Sequence, residues 1–425
     1  MREMKDSGIE WIGIIPKGWN ISRLKYIAKF FNGDRGKNYP SGEDLVDDGI
    51  AFLTSNNIHG IVLDCSQEKS KFITEERYNR LGGAKIQLND IAFCLRGSVG
   101  NCAINKTLTK GTVASSLMII RPIKASPDFI NYVLQTDVCD VQTIKAMNGS
   151  CAANLSAENV SNYYFVEPPI VEQKKIAIFL DSRCSEIDAI SADIQKEIET
   201  LEKYKRSVIT ETVTKGLNPE AEMKDSGAEW IGKVPTNWDL GRIGGFYSLR
   251  NEKVSDKDYP PLSVTMKGIL PQLETAAKTN DGDNRKLVRK GDFAINSRSD
   301  RRGSCGISKY DGSVSLINTV LTPRGKMSAA YYDWVFHCTR FSDEFYRQGH
   351  GIVDDLWTTG WQEMKKIIIP VPPFLEQNEI ADYLASKCSD IDSVISQKNQ
   401  QLETLSNYKK ILIYEYVTGK KEVLI

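Results

Sequence analysis

The feature that most constrains this chain is that it repeats itself. The run Met4-Lys5-Asp6-Ser7-Gly8-Ile9-Glu10-Trp11-Ile12-Gly13 recurs at Met223 to Gly232 with nine of ten residues identical, and the match continues with equal spacing through Pro16 and Trp19 to Pro235 and Trp238, an offset of 219. A second block recurs at an offset of 204. There Pro168-Pro169 leads into Glu172-Gln173, Ile176-Ala177, Leu180, Cys184-Ser185 and Ile187-Asp188, and Pro372-Pro373 leads into Glu376-Gln377, Ile380-Ala381, Leu384, Cys388-Ser389 and Ile391-Asp392. Between the blocks the halves barely resemble each other, and their inserts differ by fifteen residues. Two similar frames that carry two different inserts imply at least two domains in these 425 residues.

The C-terminal block of each half has a helical period. Leu180, Cys184, Ile187, Ile194, Ile198, Leu201 and Val208 follow steps of three and four, interrupted by Ser191 and Lys205. Leu384, Cys388, Ile391, Ile395, Leu402, Leu405, Leu412 and Tyr416 do the same, interrupted by Lys398 and Lys409. Each diproline stops an element and starts the next, and Gly216 and Gly419 lie just past the periodic runs. A helix from Glu172 to Lys215 would span roughly 65 Å at ~1.5 Å per residue. That is too long for a small domain, so its apolar seam must face a partner. Two like helices in one chain favour pairing with each other over pairing with another protein.

The inserts read as mixed α and β. Ile50–Leu53, Ile91–Cys94, Leu117–Ile120, Phe293–Ile295 and Ile367–Ile369 are short apolar runs bounded by Gly, Asn and Pro, as buried strands are, and Phe129–Val138 and Tyr331–Arg347 read as helices. The expected fold is therefore mixed α/β: two repeated domains at residues 1–165 and 216–370, followed by helical regions at 166–215 and 371–425.

Composition bounds the chemistry. Lys plus Arg equals Asp plus Glu at 55 each, but from Arg285 to Arg302 seven bases face two acids. That segment fits a solvated loop and a nucleic-acid surface equally well. The N-terminus carries no apolar leader and no run of eighteen apolar residues occurs, so membrane and secretion are not expected. Nine cysteines form no CxxC pair and read as reduced thiols of a cytoplasmic protein. The tail Pro372-Pro373-Phe374 resembles part of an adenine-methyltransferase signature, but Val371 stands where that signature needs an amide or carboxyl oxygen. No phosphate-cradling Gly-x-x-x-x-Gly-Lys-Ser/Thr loop is present, the Gly-x-x-Gly pieces at Gly97 and Gly303 read as turns, and His59, His337 and His350 do not fall at metal-ligand spacing. No catalytic or metal-ligating residue is assigned.

What remains is a surface that recognises something different in each half. Duplex DNA suits two readers on like frames, because sequence is read by side chains that reach base edges at separate sites. The polar loops that offer such donors supply the candidates: Ser55, Asn56, Asn57, Arg96, Ser98, Ser150 and Asn154 in the first insert, and Arg298, Arg301, Arg302, Arg347 and His350 in the second. The alternative is a scaffold with two ligand-binding domains and no DNA specificity.

Two WIG-x-x-P-x-x-W motifs (Trp11 to Trp19, Trp230 to Trp238), two PP-x-x-EQ-x-x-IA helix starts and the Val213-Thr214-Lys215-Gly216-Leu217 to Met223-Lys224-Asp225-Ser226-Gly227 junction resemble the specificity subunits of type I restriction-modification enzymes across nearly the whole chain. The resemblance implies two target-recognition domains, each reading one half of a bipartite target in double-stranded DNA. It also implies that the two helices pair as an antiparallel coiled coil. The coiled-coil seam would then comprise Leu180, Ile187, Ile194, Leu201 and Val208 with Leu384, Ile391, Ile395, Leu402, Leu405 and Leu412. Catalysis would belong to partners: two methyltransferase subunits using S-adenosylmethionine to methylate adenine, and motor-nuclease subunits using ATP and Mg2+ to cleave. No cofactor is expected on this chain.

Overall fold

The computed structural model describes residues 2–36, 39–147, 155–272, 282–298, 301–351 and 357–423. The chain divides into two compact units, residues 1–193 with 400–425, and residues 194–399. Both helical regions are single long helices, Ile170–Lys215 and Phe374–Val417, and each contributes residues to both units.

In the first unit the core sheet is antiparallel, in the order Ala28–Asn32, Leu117–Pro122, Ile91–Cys94, Cys102–Ile104. Its central strands are continuous apolar runs because both faces are covered. Side chains alternate across the sheet. Ile91, Phe93, Met118 and Ile120 join the core that contains Phe129, Tyr132 and Leu180, whereas Ala92, Cys94, Leu117 and Ile119 pack with Ala51, Leu53 and Val113. The latter belong to a second sheet, ordered Gly111–Val113, Ile50–Leu53, Lys71–Ile73, Leu45–Val46, in which the first two strands run parallel.

The second unit builds the same core sheet from Tyr247–Leu249, Asn318–Pro323, Phe293–Asn296 and Cys305–Ile307. Phe293 and Ile295 face the large aromatic core, and Ala294 and Val320 face the smaller one. Its second sheet differs: Lys253–Val254, Arg285–Val288 and Gly312–Val314 are antiparallel throughout, and a separate hairpin joins Leu262–Thr265 to Gly268–Pro271. The mixed α/β reading holds. The two predicted short helices each break in two, at Pro127–Leu134 with Asp137–Met147 and at Ala329–His337 with Thr339–Arg347. Cys338 is extended between the latter pair, which lets Phe336 and Phe341 bury against each other with ring centroids 4.9 Å apart.

The repeated motifs are fasteners. Gln173 accepts the Ser126 N–H (2.9 Å) and donates to Pro168 O (2.8 Å); Gln377 does the same with Ser328 (2.8 Å) and Pro372 (2.8 Å). Each buried amide thus ties a diproline and the start of a long helix to the start of a short helix. Trp19 packs at Gly419, where a Cβ would meet its ring at 2.7 Å, and Trp238 packs at Gly216, where a Cβ would meet its ring at 3.1 Å. Both glycines have positive φ (73° and 76°), so each ends a helix in a conformation and a space that exclude other residues.

Within each unit the two long helices run antiparallel. In the first, Asp188 pairs with Lys409 (2.6 Å) and the Phe179 and Tyr416 rings lie 4.5 Å apart. In the second, Lys205 pairs with Asp392 (2.6 Å) and Lys398 with Glu197. Of the four polar interruptions of the apolar period, three are therefore lysines held by a carboxylate on the other helix. The fourth, Ser191, donates back to Ile187 O (2.8 Å). Of the seam residues, Leu180, Ile187, Val208, Leu384, Ile391 and Leu412 are buried, and Ile194, Leu201, Ile395, Leu402 and Leu405 are half-buried, as expected where only two helices cover each other.

Candidate nucleic-acid interface

In the first unit the strands Ile50–Leu53 and Ile91–Cys94 both leave their sheets beside one turn. Ala114 N–H donates to Leu53 O (2.8 Å) and Leu95 N–H donates to Ser116 O (2.8 Å). This shared turn brings the Ser55–Asn57 helical turn and the Arg96-to-Asn101 loop to one edge of the unit. Ser55 is half-buried, and Asn56, Arg96 and Ser98 are exposed. Asn57 is corrected: it is fully buried, accepts from Thr54 N–H (2.8 Å) and donates to Asp64 O (2.9 Å) and Ser70 Oγ (3.1 Å), so its amide closes the loop and has no group left for a ligand. Ser150 and Asn154 lie outside the described residues.

In the second unit the candidates come together around the turn after Phe293–Asn296. Tyr346 donates to Asn296 O and Arg301 O (both 3.2 Å), the Arg302 guanidinium lies 5.3 Å from the Tyr346 ring, and Thr358 bridges to both Arg298 and His350. Arg298, Arg301, Arg302, Arg347 and His350 are all exposed. They differ in what holds them. Arg302 faces Asp343 (3.8 Å), and Arg347 is hydrogen-bonded to Glu344 (2.6 Å), which keeps its guanidinium pKa raised.

The basic run from Arg285 to Arg302 is not one solvated loop. Arg285 is buried on a strand, donating to Ser313 Oγ (2.8 Å) and Ser313 O (3.0 Å), and Lys286 donates to Asn318 O (2.6 Å). Burial lowers both pKa values. Arg289 reaches Tyr259 and Asp311. Lys290 and the end of the run, from Arg298, present cations to solvent.

Sequence reading missed two clefts. One, beside Leu155, is lined by Asn32, Asp34, Arg35, Gly83, Ser156 and Glu158. The other is lined by Lys203, Arg206, Lys215 and Arg340. The signal for the second was available, since Lys203, Arg206, Thr210 and Thr214 follow steps of three and four and share one face of the long helix. The thiols offer no nucleophile in the described cores: burial pushes Cys94 up to about 11 and raises Cys102, Cys139 and Cys305 further, so they stay protonated.

Comparison with known proteins places this architecture. Residues 16–200 match the family model described as the type I restriction modification DNA specificity domain. A Methanocaldococcus jannaschii protein described as "putative type I restriction enzyme MjaX specificity subunit" is 23% identical over 437 residues, covering 97% of this chain and 96% of that protein. The EcoKI specificity subunit of Escherichia coli K12 is 19% identical, covering 96% and 90%. Among solved structures, a chain from a type I restriction-modification system studied for its assembly and conformational transition has a TM-score of 0.70 at 14% identity, covering 96% of this chain and 99% of its own. The HsdS subunit of Thermoanaerobacter tengcongensis has a TM-score of 0.51 at 16% identity, covering 96% and 98%. The fold is thus one adopted by subunits of these systems. Over residues 16–200 the chain matches the specificity-domain family, and over nearly its whole length it is similar to type I restriction enzyme specificity subunits.

Proposed function

We propose that this chain reads a bipartite target in duplex DNA, one half-site per unit, for a type I restriction-modification enzyme. The observation that carries the reading is the repeated core sheet, alike in strand order and pairing in both units, with unlike loops at its edge. Specificity subunits are non-catalytic, and the catalytic activities sit on partner subunits. S-adenosylmethionine, ATP and Mg2+ are assigned to those partners, which act in the cytoplasm. No described helix is long and apolar enough to cross a membrane. None of the comparisons favours a ligand-binding scaffold without DNA specificity.

Two methyltransferase subunits are proposed, because the exposed apolar residues of the long helices are duplicated. Val171 and Leu375 are 65% and 77% exposed, and Ile190 with Val394 and Tyr204 with Tyr408 repeat at the same spacing. Matching exposed residues on both copies of the frame suit two copies of one partner. Motor-nuclease subunits would add cleavage.

The test is to purify the chain with and without its methyltransferase partner and to measure duplex binding and methyl transfer. Methylation is expected only in the complex, with specific binding at least ~10³-fold tighter than non-specific binding at physiological salt. Methyl transfer by the isolated chain, or a complex that does not discriminate between duplexes, would overturn the reading.

A further inference from the structure

The two units place one arginine identically although their loops differ. Phe93 pairs with Cys102 and Ile295 with Cys305, so the two inner strands leave their sheets in the same register. The next loop residue is then clamped on both sides. Leu95 N–H donates to Ser116 O (2.8 Å) and Leu95 O accepts from Leu155 N–H (3.0 Å); Ser297 N–H donates to Ile317 O (3.2 Å) and Ser297 O accepts from Thr359 N–H (3.0 Å). Each loop closes alike, Cys94 N–H on Asn101 O and Asn296 N–H on Ser304 O (both 2.8 Å). The first residue past the clamp is Arg96 in one unit and Arg298 in the other. Beyond it the loops diverge, Gly97-Ser98-Val99 against a longer loop that ends in Arg301-Arg302-Gly303.

Both arginines are exposed, and neither forms an ion pair with a described residue, whereas Arg302 and Arg347 beside Arg298 face carboxylates. A guanidinium on a clamped backbone, with its donors unspent, is suited to a planar acceptor pair at a fixed position. In duplex DNA that pair is O6 and N7 of guanine. A phosphate contact would not need the clamp, since a point charge tolerates a sliding side chain.

Resting on the DNA-reading proposal, we infer that Arg96 and Arg298 are equivalent specificity determinants, each reading a guanine in its own half-site. The loop residues that differ between the units surround this common contact and read the rest.

The experiment uses the complete complex with its methyltransferase partner and sequences the methylated adenines made by the parent chain and by Arg96→Ala, Arg298→Ala, Arg96→Lys and Arg298→Lys. Each substitution at Arg96 is expected to relax one G·C position in one half-site, lowering discrimination about ten- to a hundred-fold there, and each at Arg298 a position in the other half-site. The lysine variants keep the charge and lose the two-pronged geometry, so they relax the same positions while retaining non-specific affinity. They also decide the matter if an alanine variant fails to fold. An unchanged motif with uniformly weaker binding would make these arginines phosphate contacts and overturn the inference, as would both arginines acting on one half-site. If the parent complex methylates no defined motif, DNA reading itself fails, and that outcome is distinct from either.

Discussion

The two units agree in one sheet and disagree in the other. The core sheet keeps its strand order and even its buried carboxylate: Asp90 accepts from Gln87 N–H (2.7 Å) and pairs with Arg121 (2.7 Å), and Asp292 accepts from Arg289 N–H (2.8 Å) and pairs with Arg250 (2.6 Å). In the second sheet Gly111–Val113 pairs along its length with the parallel strand Ile50–Leu53 and meets Lys85 in a single antiparallel bridge, whereas its counterpart Gly312–Val314 pairs along its length with the antiparallel strand Arg285–Val288 and meets Pro261 in a single parallel bridge. The core sheet is fixed because both its faces and its fasteners are repeated. The second sheet has only to cover the outer face of the first, which unlike strands can do.

The largest stability effect expected of a single fastener is at Gln173 and Gln377. Replacing either with Ala strands a buried N–H and a buried carbonyl, at about 1–3 kcal/mol each, and chemical denaturation should find the two variants alike. A variant of one unit that costs nothing would break the equivalence of the frames.

A smaller effect should separate the units. Glu172 accepts from Trp19 Nε1 (2.9 Å) and pairs with Arg2, but the equivalent Trp238 Nε1 is buried without a partner among the described residues. Glu172→Ala should therefore cost about 1–2 kcal/mol, and Glu376→Ala markedly less. Equal losses would mean that Trp238 finds its partner in solution.

The smallest effect belongs to the seam lysines. Lys205 and Lys409 pair with carboxylates that are more than half exposed, so Lys205→Ala or Lys409→Ala should cost roughly 0.2–1 kcal/mol, shrinking as salt rises. A cost that is insensitive to salt would assign these lysines a packing role instead of an electrostatic one.

The frame was legible because its signals are periodic or repeated. The diprolines, the three-four spacing from Leu180 to Val208 and the glycines at 216 and 419 each mark one physical event, a helix start, a seam or a helix end. The reading surface was less legible. Asn57 looks like any polar loop residue until its three hydrogen bonds are seen, and Arg285 looks like a loop cation until Ser313 is found beside it. Those partners are distant in sequence or arise from loop closure, which no local pattern encodes. Arg96 and Arg298 could be picked out as polar loop residues, but their equivalence depends on clamps from residues 155 and 359 and becomes visible only in the fold.

The measurement that bears most directly on independent reading by two like frames is an exchange. Residues 232–366, the second insert, are replaced by the corresponding insert of a related specificity subunit, and the methylated motif of the complex is sequenced. One half of the target should change while the other half stays as in the parent. A motif altered in both halves, or in neither, would contradict the assignment of one half-site to each unit.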